Sequence, residues 1–209
     1  MYRLFFLLLA LGLTPALHAR AEAQINGYVI SIADGDTLTL LTADKERVKV
    51  RLAEIDTPEK KQPYGQKAKQ ELAGLVFNQN AQVSVIDTDR YGRVVGRIVV
   101  DGLDVNAELV RRGAAWVYRD YLKRPELLPL EAEARRLRKG LWALPASERV
   151  PPWQWRKEQR EGRAVAHWGP AATKHPFLSE VYSMLSAHSP APGSILQRTF
   201  FNRLIILGS

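Results

Sequence analysis

The stretch Arg51-Leu52-Ala53-Glu54-Ile55-Asp56-Thr57-Pro58-Glu59 places an arginine, an aspartate, a hydroxyl and a glutamate close together. Basic and apolar side chains alternate over 47–52, which predicts a strand with one apolar face. Pro58 lacks an N–H and favours extended backbone before it, so a turn should follow. Carboxylates bind hard cations and guanidinium groups bind phosphate oxygens. The stretch could therefore support metal-assisted chemistry at a phosphate, although a strand end with a solvated charged turn is the simpler alternative.

Two more groups of the same chemistry open other predicted strands. Asp36 follows the turn signal Asp34-Gly35, and Arg93 follows Tyr91-Gly92. In a small barrel the ends of neighbouring strands lie close together, so we expect five side chains to gather at one rim. These five are Asp36, Arg51, Asp56, Glu59 and Arg93.

Each member of this set has an expected role. The two aspartates would hold a hard cation, together with the backbone carbonyl of Thr57 and water. Glu59 would accept a proton from an attacking water, and the two arginines would clamp the phosphoryl oxygens. Arg97 has the strand parity of Arg93, but we expect a solvated side chain there rather than another clamp. Lys60 and Lys61 could touch phosphates or be solvated, and the sequence leaves both alternatives open.

Histidine and cysteine usage excludes several other chemistries. None of the four histidines lies between Gln24 and Ala166, and the chain has no cysteine. A Ser-His-Asp triad, a two-histidine ribonuclease mechanism and a His/Cys zinc site are therefore excluded from that region. The formal net charge is +8, with only a mild excess of positive charge between Gln24 and Arg149. Such an excess favours polyanionic partners without identifying one.

The two ends of the chain differ from its middle in composition and in hydrophobic periodicity. Residues 1–23 combine Arg3, an apolar run and Ala21-Glu22-Ala23, which predicts a secretory signal peptide and a secreted or periplasmic protein without stable membrane association after cleavage. An uncleaved membrane anchor is the alternative. Residues 24–149 are predicted to form one domain, as a monomer. Residues 150–209 are predicted to be a largely disordered extension, with a short final helix or strand possible in it.

The order of elements predicts a mainly β, α+β fold. Three short strands at 27–32, 36–41 and 47–53 precede a helix at 64–77. A hairpin at 81–86 and 94–100 follows, and then two helices, the first at 107–112 with Asn106 as its N-cap. The last helix would run over about 127–141. This order suits a five-stranded OB-type β-barrel with three packed helices.

Several strings resemble the staphylococcal nuclease (thermonuclease) family, in the same order and over about 27–142. They are Asp34-Gly35-Asp36-Thr37, Val50-Arg51-Leu52, Asp56-Thr57-Pro58-Glu59, Asp89-Arg90-Tyr91-Gly92-Arg93, Ala115-Trp116-Val117-Tyr118 and Gly140-Leu141-Trp142. One such string would be weak support, whereas collinear strings containing all the required side chains are strong support.

The resemblance implies an OB-fold and calcium-dependent hydrolysis of DNA and RNA, with little sugar specificity and 3′-phosphate ends. Arg51, Glu59 and Arg93 match the family's catalytic residues, while Asp36, Asp56 and the carbonyl of Thr57 match its Ca²⁺ ligands. Tyr91, Trp116 and Tyr118 match residues that contact the nucleotide, although tyrosine is usual at position 116. The alternative is a non-catalytic nucleic-acid-binding or protein-binding OB-fold module that has kept the family skeleton.

Overall fold

The computed structural model describes residues 23–161 of the 209-residue chain. The predicted signal peptide, except its last residue, and the extension beyond residue 161 lie outside the described residues and stay predictions. The chain divides into two units between Arg149 and Val150. In the second unit the described part is helical at 152–161. None of the helices within 23–161 is long and apolar enough to cross a bilayer.

The first unit contains eight described strands and three α-helices, with four strands preceding the first helix. The strands are β1 (Gln24–Asp34), β2 (Thr37–Leu41), β3 (Arg47–Leu52), β4 (Ile55–Asp56), β5 (Asn80–Thr88), β6 (Val94–Val100), β7 (Leu103–Asp104) and β8 (Trp116–Val117). The helices are α1 (Gly65–Val76), α2 (Val105–Arg111) and α3 (Leu127–Arg136), with 3₁₀ turns at Arg119–Tyr121, Gly140–Ala143 and Ala146–Glu148.

Five strands form a closed barrel in the order β3-β2-β1-β5-β6. The neighbours pair antiparallel, and the barrel closes through a parallel pairing of β3 with β6 in which Val50 lies opposite Val94. Alternate side chains of these strands fill the interior, and the buried faces of α1, α2 and α3 extend the same core. The predicted five-stranded OB-type barrel with packed helices is confirmed.

Three details differ from the prediction. Strand β1 is longer than expected, because Gln24–Tyr28 pairs with β5 while Tyr28–Asp34 pairs with β2. One strand thus pairs with two different strands along its length, and its sequence of apolar and polar residues does not reveal this. Helix α3 ends at Arg136 instead of near 141, because Arg138 and Gly140 have positive φ angles. The short β4–β8 pair was not predicted.

The predicted N-cap role of Asn106 is wrong. Asp104 caps α2, accepting a hydrogen bond from the N–H of Ala107 at 2.9 Å. The side chain of Asn106 is fully buried instead. It donates to the carbonyl of Ala53 at 2.9 Å and accepts from the N–H of Ile98 at 3.0 Å, so it links the end of β3 to β6.

Candidate active site

Arg51 lies at the centre of the cluster, near the end of β3. Its Nη1 lies 2.9 Å from an oxygen of Asp36, and its Nη2 lies 2.8 Å from Oδ1 of Asp56. Nη1 also donates to the carbonyls of Leu52 and Ile55, at 3.0 and 3.1 Å. The structure therefore brings together the two predicted metal carboxylates, one at the start of β2 and one in β4, on a single guanidinium.

The carboxylate of Asp36 is buried and fully engaged. It accepts from the hydroxyl of Thr37 at 3.1 Å and from the N–H of Thr57 at 3.0 Å. Burial opposes its ionisation, yet the Arg51 cation and the hydrogen bonds from Asp34 and Thr57 hold the pKa of Asp36 below its usual range. Asp36 thus remains an anion, as a metal ligand must.

Asp34 is a member of the site that the sequence reasoning treated only as part of a turn. Its Oδ1 accepts from the N–H of Asp36 at 3.3 Å. Burial, and next the charge of Asp36, raise the pKa of Asp34 to about 7. The available signal was the string Asp34-Gly35-Asp36, because two acids separated by one turn residue end up on the same side of a tight turn.

Two glycines allow the loops of the site to pack closely. A Cβ on Gly35 would lie 2.7 Å from the hydroxyl of Thr57. With any other residue at position 35, the β1–β2 turn could not pack this closely against the segment after β4. A Cβ on Gly65 would lie 1.9 Å from the carbonyl oxygen of Glu59. The first residue of α1 must therefore lack a side chain for the Glu59 loop to adopt its position.

Glu59 lies in a loop held by reciprocal hydrogen bonds. Its N–H donates to Oε1 of Gln62 at 3.1 Å, and its carbonyl accepts from the N–H of Gln62 at 2.8 Å. Its side chain is half-buried. The backbone of the proposed proton acceptor is thus fixed while its carboxylate retains access to water.

Arg93 directly precedes β6. Arg51 lies opposite Val95 in the parallel pair, so continued strand alternation favours the same face for Arg93, two residues before Val95. Its Nε donates to Asp89 at 2.7 Å, and its guanidinium carbon lies 5.5 Å from the centre of the Tyr91 ring. The strand register therefore favours one surface for the two predicted clamp arginines, and their joint action stays a prediction.

The three predicted nucleotide-contacting residues differ in exposure. Tyr91 is 74% exposed and Tyr118 is half-buried. Trp116 is only 7% exposed and packs edge-on against Trp142 at 4.4 Å. Its predicted contact with a base finds no support in this placement, since an inward-packed ring offers no free face for stacking. An exposed ring that the prediction did not include, Tyr121, packs edge-on against Tyr118 at 4.8 Å.

The donor set fits a hard cation. Among the described residues no three ligating side chains of His, Cys, Asp or Glu converge as a ready-made cage. Two buried carboxylates, from Asp36 and Asp56, both pair with the guanidinium of Arg51, and Asp34 accepts a hydrogen bond from the N–H of Asp36. Burial, and next the charge of Asp36, raise the pKa of Asp34, and a bound cation would favour the ionised form of this carboxyl. With the carbonyl of Thr57 and water, this is an all-oxygen shell.

Comparison with known proteins identifies the class. Residues 49–144 match the family model described as "Staphylococcal nuclease homologue". The chain is 45% identical over 154 residues to Protein ParB of Escherichia coli, an alignment that covers 68% of this chain and 85% of that protein. It is 43% identical over 135 residues to an uncharacterized endonuclease of Escherichia coli, covering 64% and 86%. A micrococcal nuclease of Shigella flexneri is 39% identical over 151 residues, covering 67% and 85%.

The chain belongs to the staphylococcal nuclease family. It is an endonuclease-type hydrolase, and its substrates are nucleic acids. The family is one of metal-dependent nucleases, which agrees with the all-oxygen donor set around Asp36 and Asp56.

Proposed function

We propose that the protein is an exported, calcium-dependent nuclease that hydrolyses both DNA and RNA and leaves 3′-phosphate ends. The observation that carries the proposal is the fork of Arg51 between Asp36 and Asp56. It sets an anion-binding group beside two carboxylates that suit a hard cation, which is the pairing that phosphodiester hydrolysis requires. Ca²⁺ is the proposed ion because the shell consists of carboxylates, a carbonyl and water, without nitrogen or sulfur.

Hydrolysis would proceed by attack of water on phosphorus, in line with the 5′-oxygen that leaves. Glu59 accepts the proton of the attacking water or orders that water, and the 5′-oxygen departs with a proton, giving a 3′-phosphate and a 5′-hydroxyl. Arg51 and Arg93 bind the non-bridging oxygens, where negative charge grows. A bound cation, held by Asp36 and Asp56, would supply charge neutralisation at the phosphate and would lower the pKa of water.

Cleavage assays with purified protein test this proposal. Plasmid DNA and a ribosomal RNA transcript are each incubated with Ca²⁺, with Mg²⁺ and with a calcium-selective chelator. We expect both substrates to be cut with Ca²⁺ and spared in the chelator. The new 5′ ends should accept phosphate from polynucleotide kinase without prior dephosphorylation. Cleavage that survives chelation, or no cleavage at all, contradicts the proposal, and the second outcome favours a non-catalytic binding module.

Export and monomeric state belong to the same proposal. The apolar run and small-residue pattern of residues 1–23 support export. All proposed catalytic and metal-binding residues come from one chain, so a single copy suffices for activity. Fractionation of producing cells, with N-terminal sequencing of the processed protein, should find a mature chain that begins at Gln24 outside the cytoplasm. A full-length chain in the cytoplasm would contradict it.

A further inference from the structure

Glu54 occupies an unfavourable position in the turn between Arg51 and Asp56. Its φ angle is +66°, in the left-handed region that side chains other than glycine rarely adopt. Its side chain is also buried, which is costly for a carboxylate unless it is paired and hydrogen-bonded. A glycine would remove both costs. The contacts of the carboxylate must therefore offset strain and desolvation together.

Most partners of Glu54 lie on one distant segment. Its Oε1 accepts from the backbone N–H groups of Lys123 and Arg124, at 2.9 and 2.8 Å, and its Oε2 accepts from Nε of Arg124 at 2.6 Å. Its carbonyl accepts from the N–H of Tyr118 at 2.9 Å. One residue of the turn thus binds both ends of the segment Tyr118–Arg124.

Two further contacts extend this attachment. Arg97 of β6 donates to Oε2 of Glu54 at 3.3 Å, so the expected solvated side chain is in fact an ion-pair partner. Arg124 also pairs with Asp104, the N-cap residue of α2. Two acids and two arginines therefore form a charge-balanced cluster that joins the turn after β3, strand β6 and α2 to the segment Tyr118–Arg124.

This segment carries the aromatic pair described above. The 3₁₀ turn Arg119–Tyr121 places residues three apart on the same side, which sets Tyr121 against Tyr118. Tyr121 is 65% exposed, and exposed aromatic rings beside basic groups suit the stacking of nucleobases. The segment follows β8, in which Trp116 lies opposite Asp56.

We propose that Glu54 is a positioning residue, which holds the Tyr118–Tyr121 pair at a fixed place relative to Arg51 and Asp56. A base stacked on the pair then sets where the neighbouring phosphate meets Arg51. The inference rests on the proposed function, since it specifies how that same site would hold its nucleic acid. It predicts that the loss of Glu54 weakens the placement of the substrate. The proposed metal ligands Asp36 and Asp56 and the side chain of Arg51 should keep their positions.

The test compares Glu54→Gln with Glu133→Gln, an exposed residue whose ion pair with Arg136 lies within α3. For a short single-stranded oligonucleotide, Glu54→Gln should raise KM about tenfold, because small displacements of a binding group are costly. Ca²⁺ affinity without nucleic acid should stay within about twofold. Hydrogen exchange of the amides of 119–124 should accelerate. Glu133→Gln should match the wild type in every measurement.

A double-mutant cycle separates positioning from a purely structural role. If Glu54 acts through the rings, Glu54→Gln should raise KM little further in a Tyr118→Ala background. Arg124→Lys, which keeps a charge but not the fork, should reproduce the KM effect if Glu54→Gln fails to fold. A wild-type KM in folded Glu54→Gln, or additive effects in the cycle, overturns the inference.

The failure of the proposed function has a different outcome. If the wild type does not cleave, the proposed function fails, and the positioning role is judged by anisotropy with a phosphorothioate oligonucleotide. In that assay Glu54→Gln should bind about tenfold more weakly than the wild type. Equal binding overturns the inference on its own.

Discussion

Arg51 neutralises two buried carboxylates at once, and this double pairing constrains what can replace it. A lysine ammonium could pair with only one of Asp36 and Asp56 in this geometry, since it lacks the planar guanidinium that reaches both carboxylates. Removing the guanidinium would leave two buried anions uncompensated, which is strongly destabilising. Variants of Arg51 therefore confound stability with catalysis, and the roles at the site are better tested at residues with exposed surface.

Glu59→Ser and Arg93→Gly are the variants that test the chemical roles. Both side chains are only partly buried, so the fold should survive. We expect kcat to fall by about 10²–10³-fold in each, because a proton acceptor or a donor to the growing charge is lost. Steady-state kinetics and a thermal melt measure the two effects, with Lys45→Gln on the distant β2–β3 turn as a control. Near wild-type turnover in either variant would refute its assigned role.

Asp34 should make stability depend on pH between about 4 and 7. Its pKa is about 7 in the folded protein, against 3.8 for the unperturbed group. The folded state therefore binds this proton more tightly than the unfolded state. The resulting contribution of Asp34 to the free energy of unfolding is fully present below pH 3.8 and is lost as the pH rises through 7. Denaturant unfolding without metal at several pH values should show this loss, and Asp34→Asn should remove it. An unchanged slope in that variant would refute the assignment.

The sequence predicted the residues of the site that pair directly with Arg51 better than it predicted the residues that hold them in place. Asp36, Arg51 and Asp56 stand at strand ends that local patterns reveal, and the structure brings them together. Glu54 gave no such signal, because its role depends on Lys123 and Arg124, which only the folded chain brings near. Asp34 had a signal in its spacing from Asp36, but its burial, which raises its pKa, is visible only in the structure. Whether Glu59 and Arg93 act as assigned stays a prediction.

At the scale of secondary structure elements, α1 begins against the site and ends away from it. A Cβ on Gly65 would clash with the carbonyl of Glu59, whereas a Cβ on Gly74 would meet nothing within 4 Å. Gly65→Ala should displace the Glu59 loop, lowering both kcat and stability, the latter by about 1–3 kcal/mol. Gly74→Ala should raise stability by about 0.5–1 kcal/mol with unchanged kcat. Equal effects of the two substitutions on kcat would contradict this account of the loop.

Asn106 joins α2 to the barrel through buried hydrogen bonds. Asn106→Ala should cost about 1–3 kcal/mol for each buried group that loses its partner, among them the N–H of Ile98 and the carbonyl of Ala53. Urea unfolding measures the loss. Asn80→Ala, at an exposed strand position, is the matched control and should change stability by less than about 0.5 kcal/mol. A comparable loss in both variants would refute the linking role of Asn106.

Element type was predictable where a single face is buried, and element ends were not. The alternation in β3 and the apolar spacing in α1 match the strand and helix observed. The end of α3 depends on positive φ angles at Arg138 and Gly140, and on the bond from Leu141 to the carbonyl of Gly113. Neighbours remote in sequence determine these features, so periodicity cannot report them.

At the scale of the whole molecule, the net positive charge should make substrate binding depend on salt. The logarithm of affinity for single strands should fall with the logarithm of salt concentration, by roughly 0.7 for each phosphate neutralised. We expect KM to rise with KCl at constant Ca²⁺ while kcat stays nearly constant. Lys60→Gln, beside Glu59, should reduce the slope, and Lys45→Gln should not. A salt-independent KM would contradict electrostatic binding.

The parallel pairing of β3 with β6 has a kinetic consequence. The strand that carries Arg51 and the strand that follows Arg93 pair only when Val50 and Val94 come into register, and β4, α1 and β5 separate these strands along the chain. Contacts so distant in sequence form late and slowly. A chain diluted from urea should therefore regain its secondary structure before its nuclease activity. The rate at which hydrolysis returns then reports the rate at which the barrel closes.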